Sequence, residues 1–235
     1  MNLYASYAKN VGSSHLSTAT PCQDCAFAKI ENGSAVAIIS DGAGSRRFAK
    51  ETAEILVESV VALFDRRLLD KYIDYGLMFN YLKEQLVDSG LDIAEFGATL
   101  LFVYVKNNVY YCVHIGDGGV ILKENDEYTL LSSPENGEYA NETFFLPDSH
   151  VSHFRVVSGE ISGDTTFLLS SDGVFDIIYD TETSTPMPAC DKLAECNIWE
   201  PQSNVIIENS LKEVFSQYSS DDQSIAVLSV ASEGK

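Results

Sequence analysis

The chain has 235 residues, 45% of them apolar and 21% charged, and a formal net charge of −20 at pH 7. This is a globular rather than a disordered composition, and the length suits one well-buried core, so a single domain over residues 1–235 is expected. Only 15 lysines and arginines stand against 35 carboxylates, which argues against nucleic-acid and membrane partners, because both are bound through basic clusters.

An acidic chain can use cations instead, since carboxylates gathered round a metal repel one another without it. The five cysteines (Cys22, Cys25, Cys112, Cys190 and Cys196) are odd in number, and the residues after Met1 carry no leader pattern, so a reduced cytoplasm is the expected location. Cys22 and Cys25 have the spacing of a zinc or redox pair, but no second pair or suitably spaced histidine follows them. No apolar run approaches the length of a membrane span.

In chain order, Leu3 to Lys9 reads as a first strand, followed by a polar loop from Gly12 to Pro21. Cys25 to Ile30 and Ser34 to Ile39 form a hairpin round Asn32-Gly33, which brings Asp24 and Asp41 to the same end of neighbouring strands. Ala49, Ala53, Leu56, Val57, Val60, Val61 and Phe64 repeat at helical spacing after Ser45, and Tyr75, Phe79, Leu82 and Leu86 carry a second helix. An antiparallel meander follows: Gly97 to Val105, Val109 to Ile115, Val120 to Lys123 and Glu127 to Leu131, turning at Asn107-Asn108 and Asn125-Asp126. Residues 134–153 are less regular, with Asn141 as a turn cap. Strands resume at Phe154 to Val157 and Thr166 to Ser171, and a short helix follows Gly173. Thr181 to Gln202, interrupted by Pro186, Pro188 and Pro201, reads as a surface excursion or substrate-selecting lid. A late helix over Val205 to Tyr218 and a buried strand over Ser224 to Ala231 close the chain. Roughly ten hairpin-linked strands with helices grouped apart give an α+β class.

The chemistry gathers in a recurring pattern, an apolar strand that ends in an acidic residue and glycine. Ile38-Ile39-Ser40-Asp41-Gly42-Ala43-Gly44 is the first copy and Leu168-Leu169-Ser170-Ser171-Asp172-Gly173 the second, while Asp221-Asp222-Gln223 leads into the last strand. A carboxylate on a strand end beside permissive backbone suits a metal or a phosphate.

With Gln23-Asp24, Phe96-Gly97-Ala98-Thr99-Leu100, His114-Ile115-Gly116-Asp117-Gly118 and Asp172-Gly173-Val174-Phe175-Asp176, these segments resemble, in order and over nearly the whole chain, the motifs of metal-dependent protein Ser/Thr phosphatases of the PP2C (PPM) type in their short bacterial form. The resemblance implies a four-layer α-β-β-α sandwich with two Mn²⁺ or Mg²⁺ ions, possibly three, at one end of the sheets. It implies metal ligation by Asp41, the Gly42 carbonyl, Asp172 and Asp222, with Asp117 at the third ion, and catalysis resting on Asp41, Asp172 and Asp222. The implied reaction is hydrolysis of phosphoserine or phosphothreonine through a metal-activated bridging water, on proteins phosphorylated by a Ser/Thr kinase, with the chain acting as a monomer.

Two departures keep a second reading open. Gln23 stands where many members carry Glu, so ligand duty passes to Asp24 or to water, and no arginine lies between Val11 and Asp24 to grip phosphate. His15 and Arg46 are the substitute candidates for that grip. The alternative reading is a pseudophosphatase, a phosphoprotein-binding module that keeps the fold without turnover.

Overall fold

Two five-stranded antiparallel sheets face one another and helices cover the outer side of each, the four-layer arrangement the resemblance implies. The computed structural model describes residues 1–135, 143–199 and 202–232; Asn141, the expected turn cap, lies outside them. One sheet has the order β1 (Asn2–Asn10), β12 (Gln223–Ala231), β9 (Thr165–Ser170), β6 (Gly119–Glu124), β7 (Glu127–Ser132). The other runs β2 (Cys25–Glu31), β3 (Ser34–Ser40), β4 (Leu100–Lys106), β5 (Val109–Ile115), β8 (Arg155–Glu160).

Period-two patterning sorts the side chains into three layers. Ala35, Ala37 and Ile39 of β3 and Leu101, Val103 and Val105 of β4 point into the sandwich, where they meet Phe167, Leu169, Ala226 and Leu228 of the facing sheet. Their neighbours Val36, Ile38, Leu100 and Phe102 point outward onto α2 (Ala49–Asp65) and α4 (Tyr75–Asp88), which the four-residue α3 (Leu69–Tyr72) links. On the other side, Leu168, Ile225 and Val227 meet α5 (Asp172–Ile178), α6 (Ala189–Trp199) and α7 (Ser203–Glu213). Both faces of the central strands are therefore dry, which explains their continuous apolar runs. Three hairpins close as the sequence predicts, with positive φ at Asn32-Gly33, Asn107-Asn108 and Asn125-Asp126.

Two segments differ from expectation. The polar loop after β1 holds a six-residue helix, α1 (Ser13–Thr18), with no buried residue and no side-chain cap. It carries no apolar period because it is held from outside: the Ser14 N–H and hydroxyl both donate to the Ser220 carbonyl, at 3.0 and 2.7 Å. The expected excursion at 181–202 is instead a small hairpin, β10 (Tyr179–Asp180) with β11 (Thr185–Pro186), followed by α6. Cys190, Leu193 and Ala194 are buried against the outer face, so this segment is part of the helical layer. Small Cys and Ala side chains carry its helical period, and that is why hydrophobicity alone did not show it.

The register sets every acidic strand end at one rim. Cys25 lies opposite Ser40, Asn10 opposite Gln223, and both Gly119 and Ile225 opposite Ser170, so the residues just beyond these pairs converge. Phe175 on α5, 1% exposed, fills the space beside Gly119, where an added Cβ would come within 2.0 Å of the ring. This contact docks the corner bearing Asp172 against the corner bearing Asp117. Gly119→Ala should cost about 1–3 kcal/mol from overpacking and Phe175→Ala about 3–5 kcal/mol from the cavity it leaves. In urea unfolding the double variant should cost less than the two single costs added, because the cavity admits the methyl group; strict additivity would mean the two residues do not share the contact.

Candidate metal centre

Three carboxylates meet at the rim: Asp41, Asp117 and Asp172 each offer an oxygen within 4.8 Å of the others. They line a cleft of about 240 Å³ together with Gly42, Gln23 and His15. Asp41 follows β3 and is fixed through its backbone. Its N–H donates to the Thr99 hydroxyl at 3.0 Å, its carbonyl accepts from the Thr99 N–H at 2.8 Å, and Gly42 bridges to Ala98. The stretch before β4 therefore serves as a brace for the Asp41 turn. Asp172 opens α5, where the helix N-terminus favours negative charge, and its Oδ1 accepts from the Gly173 N–H at 2.6 Å. An added Cβ at Gly173 would lie 2.2 Å from the Asp222 carbonyl oxygen, so glycine is needed for the two chain segments to approach.

Asp222 is placed differently from these three. It is 2% exposed, and its carboxylate ties three chain segments together: the Gly12 N–H donates to Oδ1 at 2.7 Å, the Gln23 N–H donates to Oδ2 at 2.6 Å, and His15 Nδ1 lies 2.9 Å from Oδ2. A carboxylate has about four lone-pair sites, so roughly one is left for an ion. Its neighbour Asp221 also lines the cleft, and its charge acts on both Asp117 and Asp172. Sequence reasoning passed over Asp221, although the Asp-Asp doublet marks it.

Asp24 lies beneath the cleft, 1% exposed, beside Asp41, Ser171 and Ser224. Those neighbours act on its charge, yet neither carboxylate oxygen has a partner of good hydrogen-bond geometry, and the buried Gln23 Oε1 lacks one too. His15 lines the cleft; Arg46 does not. The Arg46 guanidinium donates to the Ala94 carbonyl at 2.6 Å, pairs with Asp148 and lies over the Phe145 ring, so it is held away from the phosphate position proposed for it. Thr143, in the stretch that reads as less regular and not singled out there, donates its hydroxyl to Asp117. Burial pushes the Cys22 thiol up to about 12, and its Sγ lies 3.9 Å from the carbonyls of Asn10 and Asp24.

The electrostatics follow from crowding. Burial, then the charges of Asp24, Asp172 and Asp117, holds the Asp41 carboxyl well above the usual range. Burial pushes Asp24 up to about 7, and enclosure of its carboxyl followed by repulsion from Asp117 and Asp221 pushes Asp172 up to about 6, although Asp172 as a whole residue is exposed. Asp117 is raised too, chiefly by burial. An oxygen-only donor set with unpartnered buried oxygens and several carboxylates that resist ionising together fits a hard divalent cation.

The fold and site thus define a two-sheet sandwich with an oxygen-ligand centre at one rim. The chain belongs to the protein phosphatase 2C family, whose sequence model matches residues 11–216. It is 27% identical over 156 residues to serine/threonine-protein phosphatase 3 of Escherichia coli (strain K12), a match that spans 60% of this chain and 62% of that one. Its fold is similar to the Mycobacterium tuberculosis serine/threonine phosphatase PstP/Ppp, with a TM-score of 0.69 at 15% identity over 99% of this chain and 100% of the other. It is also similar to the PstP catalytic domain in complex with two manganese ions, with a TM-score of 0.69 at 17% identity over 98% and 100% of the chains.

Raised carboxyl pKa values have a definite sign for stability. The folded, metal-free protein holds protons between about pH 4 and pH 7 that the unfolded chain has released, so this contribution is fully present below the ordinary value of 3.8 and is lost as pH rises through about 6 and 7. Chelator-treated protein should therefore melt at a higher temperature at pH 5 than at pH 8. Asp41→Asn should narrow that gap by raising the pH 8 value, about 2–4 °C for each kcal/mol of repulsion relieved. A melting temperature that climbs from pH 5 to pH 8 in the wild-type chain would contradict this.

Proposed function

We propose that this chain hydrolyses phosphoserine and phosphothreonine on proteins, with two Mn²⁺ or Mg²⁺ ions and room for a third at Asp117. The observation that carries the reading is the cluster of three carboxylate oxygens within 4.8 Å of one another in a cleft whose described lining contains no lysine or arginine. Such a cleft repels a phosphate dianion unless cations occupy it. Family membership and a relative named as a serine/threonine phosphatase support the same reading.

Bound divalent cations supply charge neutralisation and bring the ionisation of a coordinated water near neutral pH. The chain contributes the rest. Asp41, with the Gly42 carbonyl and Asp172, would hold the cations; Asp24 and the Gln23 amide oxygen back them from below, and Asp222 keeps at most a share in ligation. Asp222 fixes the His15 ring through Nδ1, which leaves Nε2 as the atom for a phosphate oxygen. Water is the proposed nucleophile, as the family resemblance implies; no cysteine lines the cleft, and the Thr99 and Thr143 hydroxyls are engaged with the Asp41 N–H and with Asp117. No role in phosphate binding is assigned to Arg46. The substrates would be products of a Ser/Thr kinase, met by a monomeric chain in the cytoplasm. No helix among the described residues is long and apolar enough to cross a membrane.

With Mn²⁺, the purified chain should turn over a phosphothreonine peptide and a small aryl phosphate, and chelator should abolish both activities. Asp41→Asn and Asp172→Asn should each lower kcat/KM by at least about 10²-fold. Turnover that survives chelation would sink the reading. Phosphopeptide binding with no turnover in any metal would leave the binding module in its place.

A further inference from the structure

Asp117 is held by a hydroxyl from outside the acidic cluster. Thr143 Oγ1 donates to Asp117 Oδ2, occupying one side of the carboxylate. Thr143 is in turn set on rigid support. Three residues on, Leu146 exchanges N–H and carbonyl bonds with Ala98 at 2.9 and 3.1 Å, and Ala98 also bridges Gly42 beside Asp41. Next to Thr143, the Phe144 ring stacks on His153 with centroids 3.6 Å apart. His153 Nδ1 lies 3.1 Å from the Glu135 carboxylate, which also faces Arg155 Nε at 3.3 Å, while the Glu135 N–H donates to the Gly116 carbonyl at 3.0 Å. Gly116 precedes Asp117 and has φ +121°, a backbone conformation that would strain any side chain. The backbone before Asp117 and the side chain of Asp117 are thus both fastened to the segments bearing Glu135 and Thr143.

We propose that Thr143 is a positioning residue: its hydroxyl turns the Asp117 carboxylate so that the other oxygen faces Asp41 and Asp172 and joins them in holding a divalent cation. The proposal rests on the metal reading of this cleft. A partner that orients a ligand commonly changes metal affinity by about 10–100-fold when removed, although it never touches the ion. Valine has the shape of threonine without the hydroxyl, whereas serine keeps the hydroxyl.

The test is Mn²⁺ titration by calorimetry, with bound ions counted by electron paramagnetic resonance, on the wild-type chain and on Thr143→Val, Thr143→Ser, Asp117→Asn and the Thr143→Val/Asp117→Asn pair. Thr143→Val should weaken one class of Mn²⁺ site about 10–100-fold and Asp117→Asn should weaken the same class. Thr143→Ser should bind as wild type does, and the double variant should bind no more weakly than Asp117→Asn alone. Circular dichroism reports the fold of each variant; if Thr143→Val does not fold, Thr143→Ala carries the same expectation. Wild-type uptake of Mn²⁺ that is unchanged in a folded Thr143→Val or Thr143→Ala variant would overturn the assignment of Thr143 alone. A double variant that binds more weakly than Asp117→Asn would do the same. A wild-type chain that takes up no Mn²⁺ would overturn the metal reading along with it.

Discussion

Like charges forced together at one rim of the sandwich are the constraint on which the rest of the structure depends. Asp41, Asp117 and Asp172 bring oxygens within 4.8 Å of one another, Asp24 lies buried behind them and Asp221 stands at the edge. Isolated, such a group would neutralise or move apart. The fold prevents movement, because Asp41, Asp117 and Asp172 lie just beyond β3, β5 and β9, strands bonded on both sides and packed on a dry core. Protonation is the response left to the metal-free protein, and cation binding is the response the arrangement favours.

The scaffold shows why movement is denied. The Asp41 turn is bonded to the strand stretch at Ala98 and Thr99, and the same stretch reaches Leu146, so one short segment braces two lips of the cleft. Asp222 acts as a knot: its carboxylate gathers donors from Gly12, His15 and Gln23, joining the residues after β1 to those before β2. Its oxygens are already taken up by N–H donors, which sets Asp222 apart from the three that crowd one another. The two corners carrying Asp117 and Asp172 meet through Phe175 and Gly119, an apolar contact that sets the separation between charged groups.

Much of this was legible in the chain. Strand and hairpin positions followed from alternating apolar residues and from Asn-Gly, Asn-Asn and Asn-Asp pairs, because the backbone conformation those turns need is local. Two segments were misread, each for its own reason. The helix at Ser13–Thr18 is stabilised by the Ser220 carbonyl, more than 200 residues away, and the helix at Ala189–Trp199 packs through small side chains that carry little hydrophobic signal. Arg46 was singled out for its position after the Asp-Gly turn, yet its direction is set by Ala94, Asp148 and Phe145, which no spacing rule connects to it.

The sequence by itself determined which aspartates end strands and that the class is α+β, because both follow from residue type and short-range periodicity, while the sandwich and the oxygen ligands were implied by the order of the family's motifs. The tertiary structure alone decided which carboxylates share a site. Asp221 and Asp222 are adjacent in the chain and both line the cleft, but only the Asp222 carboxylate is bound by the Gly12 and Gln23 N–H groups and the His15 ring, and Thr143 reaches Asp117 across 26 residues. Such differences depend on where distant segments cross, and crossing is settled by the packing of the two sheets and the brace at Ala98.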